Sequence, residues 1–308
     1  VLARADGDHP STTAPRRRRR RNESALERFQ ICESPEGRAS VVHRASGEMM
    51  HGGIDPMIEA NALYVAQSRL VERLREASTV PFVVWDVGMG AAHNAMAAIR
   101  ACETTEPATQ RPLHLVSFEH DVASLRLALR HALKFPHLHY PAPSHVLRFG
   151  EWRSELAPIL WTLHEGDFRQ HMTSAPTPDC IFYDPFSAKT DTPMWTLECF
   201  DSVFAECAEH DTELFTYSAS TVVRTAMLGA GFIVARGAPT GRRPETTLAM
   251  TTAAAIQAGA RGRVILGPEW LEQWRRSDAK FPSDVPSAGR AALAERIEGL
   301  AQFRVVVG

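Results

Sequence analysis

Apolar residues alternate along this chain between short continuous runs and stretches with helical spacing. The continuous runs predict strands at residues 82–87, 113–119, 159–165, 180–184, 213–217, 231–236 and 246–250. Helical spacing predicts helices between them, at residues 92–102, 122–135, 194–210 and 220–229. This alternation indicates an α/β fold with a mostly parallel sheet. The last two strands are joined only by a loop and are expected to form an antiparallel hairpin.

The same patterns divide the chain into four regions. Residues 1–22 form an arginine-rich tail that is expected to be disordered, because six consecutive arginines repel one another. Residues 23–80 form an N-terminal appendage with a short hairpin, turning at residues 34–37, and an amphipathic helix over residues 56–77. Residues 81–252 are the predicted core. Residues 253–308 are a helical extension whose Trp270 and Trp274 are expected to pack on that core.

Composition and charge narrow the class of protein. The 308 residues are 44% hydrophobic, yet no segment approaches the roughly 18 apolar residues that would span a bilayer, so a membrane protein is not expected. Arginines stand where a secretory signal needs an apolar stretch, which predicts a cytoplasmic location. The tail has seven arginines and two aspartates, a net charge of +5 that leaves −7 for the rest of the chain. It is either a phosphate-binding arm or a solvated tail without a specific role.

No metal or disulfide framework is expected. The five cysteines are odd in number and form no C-x-x-C pair, which fits reduced thiols. His137 and His139 lie two residues apart, but no cysteine or acidic residue accompanies them, so a packing or surface role is favoured over a metal site.

A glycine turn follows the first core strand in the segment VVWDVGMG. Asp86, Gly88 and Gly90 stand at the end of this strand, and glycines there allow a ligand to approach the backbone at a helix N-terminus. Glu119 ends the next strand, where an acidic side chain can accept both hydroxyls of a ribose. Together these residues predict an adenosine-containing ligand.

Gly166 and Asp167 follow the third strand. The carboxylate of Asp167 could accept a hydrogen bond from an adenine amino group, or it could cap the next helix, and both interpretations remain open.

The segment DPFSAKTDTPMW, at residues 184–195, follows the fourth strand. It places the Asp184 carboxylate and the Phe186 ring at the carboxyl edge of the sheet. At this edge the two residues would face a methyl donor, in which the methyl carbon is bonded to a cationic sulfur. An amine must lose its proton before it can attack that carbon, and Asp184 could hold the amine and accept the proton. Phe186 could contact a base or the cationic sulfur. A turn capped by Asp184, with Phe186 in the core, is the structural alternative.

The segments EANALYV, DPFSAKTDTPMW and TYSASTVVRTAMLGAGFIV resemble the MnmC and MnmD family of tRNA 5-methylaminomethyl-2-thiouridine methyltransferases. Pro185 replaces the usual glycine of that family. The resemblance implies a Rossmann-like class I methyltransferase fold, with a seven-stranded sheet that has one antiparallel strand and helices on both faces. It also implies S-adenosyl-L-methionine as cofactor, Asp184 and Phe186 as catalytic residues, a wobble uridine in the tRNA anticodon region as substrate, and phosphate contacts from Lys189, Arg242 and Arg243.

Two other functions fit the same residues. One is methylation of a small molecule or peptide, which the acidic remainder of the chain favours. The other is binding of an adenosine compound without catalysis, which the presence of both Asp184 and Phe186 disfavours. The sequence does not indicate an oligomeric state.

Overall fold

The computed structural model describes residues 27–50, 54–105, 111–241 and 243–304. The predicted arginine tail and Arg242 lie outside the described residues. Within them, nine strands form one mixed sheet and two more form a hairpin. The hairpin strands are β1 (Phe29–Glu33) and β2 (Ala39–His43); the sheet strands are β3 (Phe82–Val87), β4 (Leu113–Glu119), β5 (Glu151–Arg153), β6 (Ile159–Glu165), β7 (Cys180–Tyr183), β8 (Glu213–Thr216), β9 (Ile233–Gly237), β10 (Thr246–Met250) and β11 (Val264–Ile265).

The sheet has the order β11-β9-β10-β8-β7-β3-β4-β6-β5. Strands β8, β7, β3, β4 and β6 are parallel, and β10 runs antiparallel to both β8 and β9. The predicted mostly parallel α/β sheet and its terminal hairpin are therefore confirmed. The predicted number of seven strands is too low, because the short edge strands β5 and β11 each add an antiparallel neighbour. With three and two residues, these strands are too short to give an apolar pattern of their own.

Helices cover both faces of the sheet. All six residues of β3 are buried, as expected for a parallel strand with a helix layer on each side. The α-helices are α1 (Pro56–Ala60), α2 (Leu70–Leu74), α3 (His93–Glu103), α4 (Ala123–Arg130), α5 (Pro141–Phe149), α6 (Phe168–His171), α7 (Leu197–Cys207), α8 (Thr221–Ala230), α9 (Thr252–Ile256), α10 (Pro268–Arg276) and α11 (Arg290–Glu298).

Several predicted boundaries shift for local reasons. The helix predicted over residues 56–77 is divided into α1, a π-helix at Asn61–Ala66 and α2, and Arg69 between them has a left-handed φ of 54°. The helix predicted over residues 122–135 ends at Arg130, because His131 leaves the helical conformation with φ −119° and ψ 35°, and a 3₁₀ helix follows at Ala132–Lys134. The strand predicted from residue 231 begins at Ile233, because Gly231 has a φ of 113° and ends α8.

The flanking segments pack on this core. The hairpin is attached beside α4 by ion pairs from Lys134 to Glu33 and from Arg28 to Asp121. At the other end of the chain Trp270 and Trp274 are buried, as predicted, and the indole Nε1 of Trp274 donates to the Thr225 hydroxyl at 2.9 Å. In the described part of the chain no helix is long and apolar enough to cross a membrane.

A buried carboxylate at the start of β8 joins three parts of the fold. Glu213, the first residue of β8, is 0% exposed and lies 2.8 Å from Arg263, 3.3 Å from Arg73 and 3.6 Å from Arg261. Arg73 belongs to α2, whereas Arg261 and Arg263 precede β11. The pairs therefore connect the N-terminal helix, the sheet and the C-terminal segment.

We expect Glu213→Gln to lower the free energy of unfolding by about 3 to 5 kcal/mol, because it leaves the buried Arg73 and the largely buried Arg263 without their counter-charge. Arg261, by contrast, keeps its pair with Asp211. Urea denaturation measures the change. The matched control is Glu272→Gln, which removes an exposed pair with Arg275 and should cost less than about 1 kcal/mol. Equal effects of the two substitutions would contradict this account of the buried cluster.

Candidate active site

The carboxyl ends of β3, β4, β6 and β7 border one cavity of about 460 Å³. This volume lies within the range of small-molecule sites. Each of these strands ends in residues that were predicted from the sequence to bind or react. The predicted residues that line the cavity are Gly88, Gly90, Glu119, Gly166, Asp167, Asp184, Phe186 and Arg243.

The glycine turn after β3 lies directly against the loop after β7. Gly88 has a φ of 84°, and a Cβ at this position would lie 2.6 Å from the carbonyl oxygen of Asp184 and 2.9 Å from the Cα of Pro185. The Gly88 amide donates to the Phe118 carbonyl at 3.0 Å, which ties the turn to the end of β4 as well. Only glycine combines this backbone conformation with so close an approach.

Glu119 is tied to the glycine turn by its carboxylate. One oxygen accepts from the Gly90 amide at 2.8 Å, and the other accepts from the Asp121 amide at 2.8 Å. Burial raises the pKa of Glu119 to about 7, against the opposing effect of these two amide donors. This carboxyl therefore changes its charge near neutral pH.

Asp86 lies below the cavity and does not line it. Its side chain is fully buried and accepts from the Ser117 hydroxyl at 2.7 Å, and that hydroxyl in turn accepts from the Trp161 indole at 2.9 Å. The contacts connect β3, β4 and β6 just beneath the cavity floor. Asp86 thus contributes to the position of the strand ends.

Asp167 lines the cavity and also caps α6. One carboxylate oxygen accepts from the Arg169 amide at 3.0 Å, and both oxygens pair with the Arg169 guanidinium. The hydrogen bonds from this guanidinium lower the pKa of Asp167, so its carboxylate is ionised at neutral pH. Asp167 therefore caps the helix, which was one of the two interpretations of the sequence, and its contact with adenine stays a prediction.

Asp184 follows β7 and borders the cavity beside the glycine turn. Its amide donates to the Val87 carbonyl at 2.9 Å, which continues the pairing of β7 with β3. Its carboxylate accepts from the Asn94 side-chain amide at 2.8 Å. The Tyr64 hydroxyl lies on another side of Asp184, and burial followed by the Asp184 charge raises the pKa of Tyr64 well above its ordinary value.

The hairpin and the segment after it cover the loop that carries Phe186. The Phe186 ring lies 5.6 Å from the His43 ring between centroids. The Glu48 carboxylate accepts from the Ser187 amide at 2.7 Å and from the Ser187 hydroxyl at 2.9 Å. The N-terminal segment therefore forms one wall of the cavity.

The remaining predicted cations lie in different surroundings. Arg243 stacks over the Tyr217 ring at 4.8 Å and pairs with Glu59 at 2.5 Å, so it forms part of the wall near Asp184. Lys189 is exposed and does not line the cavity. Arg242 falls outside the described residues.

Acidic side chains predominate around the cavity. Seven carboxylic residues and three arginines line it, which favours a positively charged ligand such as a sulfonium or a protonated amine. The acidic residues are Glu48, Glu59, Glu119, Asp121, Asp167, Asp184 and Asp191, and the arginines are Arg28, Arg169 and Arg243. Within the described ranges no group of three His, Cys, Asp or Glu side chains could hold a metal ion.

Two residues at the site, Asn94 and Glu48, were not predicted from the sequence. Asn94 lies 90 positions from Asp184 along the chain, and Glu48 lies 139 positions from Ser187. Tyr64 and Tyr217 lie in segments that resemble the MnmC and MnmD family, but no role was predicted for either tyrosine from the sequence. Tyr64 lies in a π-helix, a local feature often found at functional sites.

Comparisons with known proteins agree with this geometry. A family model described as S-adenosyl-L-methionine-dependent methyltransferase matches residues 131–252. The chain is 26% identical over 259 residues to the tRNA 5-methylaminomethyl-2-thiouridine biosynthesis bifunctional protein MnmC of Burkholderia vietnamiensis, covering 80% of this chain and 36% of that protein. It is 28% identical over 209 residues to the MnmC of Burkholderia thailandensis, covering 63% and 31%. The chain thus spans about a third of the length of these relatives.

The fold is similar to a solved structure as well. The crystal structure of MnmC2 from Aquifex aeolicus aligns with a TM-score of 0.60 and 19% sequence identity, over 88% of this chain and 84% of that one.

The strand order and the alignment with MnmC2 show a Rossmann-like fold of the class I type, and the family match over residues 131–252 indicates an S-adenosyl-L-methionine-dependent methyltransferase. Within that class the chain is a relative of the MnmC proteins, so the resemblance inferred from sequence is confirmed.

Proposed function

We propose that this chain methylates the aminomethyl nitrogen of a wobble uridine in tRNA. The proposal is supported by the contact between the glycine turn and the loop of Asp184 and Phe186, which would bring a donor site and an acceptor site into one cavity. The names of the MnmC relatives, which refer to tRNA 5-methylaminomethyl-2-thiouridine biosynthesis, support this choice of acceptor.

We assign the cofactor to the half of the cavity formed by the ends of β3, β4 and β6. The backbone of Gly88 and Gly90 would contact the cofactor, and the Glu119 carboxylate would accept hydrogen bonds from its ribose hydroxyls. Gly166 and Asp167 would border the adenine. The bound cofactor supplies a methyl group on a positively charged sulfur, and the acidic lining favours that charge.

Asp184 and Phe186 form the acceptor half in this proposal. The amine must be neutral to attack, because its lone pair forms the bond to the methyl carbon while the bond from that carbon to sulfur breaks. Asp184 would hold the amine and accept its proton, and Phe186 would contact the uracil ring. Exposed Lys189 would meet the tRNA backbone outside the cavity, as would Arg242 and the arginine tail, which lie beyond the described residues.

We expect the affinity for S-adenosyl-L-methionine to depend on the charge of Glu119. With a pKa of about 7, this carboxyl is ionised at pH 8 and protonated at pH 6, and a protonated carboxyl accepts fewer hydrogen bonds from ribose hydroxyls. Binding should therefore weaken about tenfold from pH 8 to pH 6, as the ionised fraction falls. Titration calorimetry at the two pH values measures this change.

Glu119→Gln should bind more weakly at pH 8 and depend less on pH. The matched control is Glu165→Gln, because Glu165 pairs with Glu119 at the end of the adjacent strand but is exposed and does not line the cavity. Unchanged affinity in Glu119→Gln would contradict the ribose assignment.

Methyl transfer to tRNA is tested with labelled S-adenosyl-L-methionine and bulk tRNA that lacks this methylation, followed by nucleoside analysis. We expect label in one wobble uridine, and at least a hundredfold lower rate in Asp184→Ala, because positioned proton acceptors contribute about 10²- to 10⁴-fold. Calorimetry should show that Asp184→Ala still binds the cofactor. Asp278→Ala, at an exposed position outside the cavity, is the control substitution. Label in a protein or metabolite fraction, with none in tRNA, would overturn the tRNA proposal.

A further inference from the structure

The Asp184 carboxylate is hydrogen-bonded by a residue of the helix that follows the glycine turn. Asn94 is the second residue of α3, four positions after Gly90, and its side-chain amide nitrogen donates to Asp184 Oδ2 at 2.8 Å. Asn94 is 2% exposed and does not line the cavity, so it reaches a bound acceptor only through Asp184. One short segment thus carries both the donor turn and the support of the acceptor carboxylate.

The orientation of the Asn94 amide depends on the ionisation of Asp184. An ionised carboxylate only accepts hydrogen bonds, so the amide nitrogen must face it. The amide oxygen of Asn94 is then buried without a hydrogen-bond partner among the described residues. A buried polar atom without a partner costs free energy and requires an explanation. The bond to Asp184 supplies that explanation, since a leucine would fill the same volume without any unpaired atom.

We infer that Asn94 is a positioning residue, which keeps Asp184 ionised and aimed at the acceptor amine. The role of Asn94 in methyl transfer rests on the proposed function, whereas its effect on the ionisation of Asp184 does not. A hydrogen bond from a buried amide to a charged carboxylate favours the carboxylate over the carboxylic acid. The same bond restricts rotation of the carboxylate, and therefore fixes which oxygen faces the cavity.

Other groups around Asp184 also act on its charge. Tyr64 faces it from the π-helix and stays protonated, since burial and the Asp184 charge both raise the pKa of Tyr64. The further titratable or charged groups near this site are Tyr217, Arg243, Glu48, Glu59 and Asp191. All of these remain in place when Asn94 alone is substituted, so the effect of Asn94 can be measured by difference.

The test follows the titration of Asp184 directly, by NMR of protein labelled with ¹³C at the aspartate carboxyl carbons. Asp184→Asn identifies the Asp184 resonance. In Asn94→Leu we expect Asp184 to titrate about one pH unit higher than in the unchanged protein, because a charge-assisted hydrogen bond is lost. In Asn94→Asp the two carboxyl groups would share a proton, and the titration should again move to higher pH.

A matched control separates this effect from a general loss of packing. Asn61→Leu removes another side-chain amide, which donates to the Met57 carbonyl at 2.7 Å and does not contact Asp184. It should leave the Asp184 titration unchanged. The inference is overturned if Asp184 titrates at the same pH with and without the Asn94 amide. It is equally overturned if Asn61→Leu moves the titration as much as Asn94→Leu does.

A kinetic measurement connects the titration to catalysis. In the tRNA assay, the acidic limb of the rate–pH profile should move to higher pH in Asn94→Leu, while the KM for S-adenosyl-L-methionine stays within about twofold. A lower rate with an unmoved profile would contradict the positioning role. If the unchanged protein transfers no methyl group to tRNA, the proposed function fails, and the NMR titration still decides the inference on Asn94.

Discussion

The loops after β3 and β7 meet at Gly88, and the rest of the site depends on this contact. A Cβ on Gly88 would lie 2.6 Å from the Asp184 carbonyl oxygen, so any other residue would force the loops apart. The turn is hydrogen-bonded through Gly90 to Glu119, and Asn94 in the helix that follows it donates to the Asp184 carboxylate. A parallel sheet brings its strand ends to one edge, and this turn connects those ends, so that the proposed donor and acceptor sites share one cavity.

The charge of the cavity lining and the cover formed by the N-terminal segment also shape the site. The lining has more carboxylates than arginines, which suits a cationic sulfur and the protonated amine of the proposed acceptor. The N-terminal segment covers one side, because Glu48 binds the Ser187 backbone and His43 packs on Phe186. Coverage of this kind keeps water away from a methyl donor and strengthens the electrostatic interactions inside. The folded appendage is therefore part of the active-site wall.

The sequence predicts the centre of the fold well because buried parallel strands have continuous apolar runs. Strands β3, β4, β6 and β10 have the predicted bounds, and Gly88, Glu119 and Asp184 follow strands as expected. Short edge strands and the break at Arg69 depend on tertiary packing and were not predicted. The partners of Asp184 were missed for the same reason, since Tyr64 and Asn94 approach it only after the chain has folded. Asp86 was predicted to bind the cofactor because of its position in the motif, but its carboxylate accepts a hydrogen bond from Ser117 inside the sheet.

We propose that one cavity holds the methyl donor against the glycine turn with its sulfur facing Asp184. The decisive measurement is a crystal structure with bound S-adenosyl-L-homocysteine, the product that remains after methyl transfer. We expect the ribose hydroxyls on Glu119, the adenine beside Gly166 and Asp167, and the sulfur directed toward Asp184. A ligand bound at another place, or one whose sulfur faces away from Asp184, would contradict it.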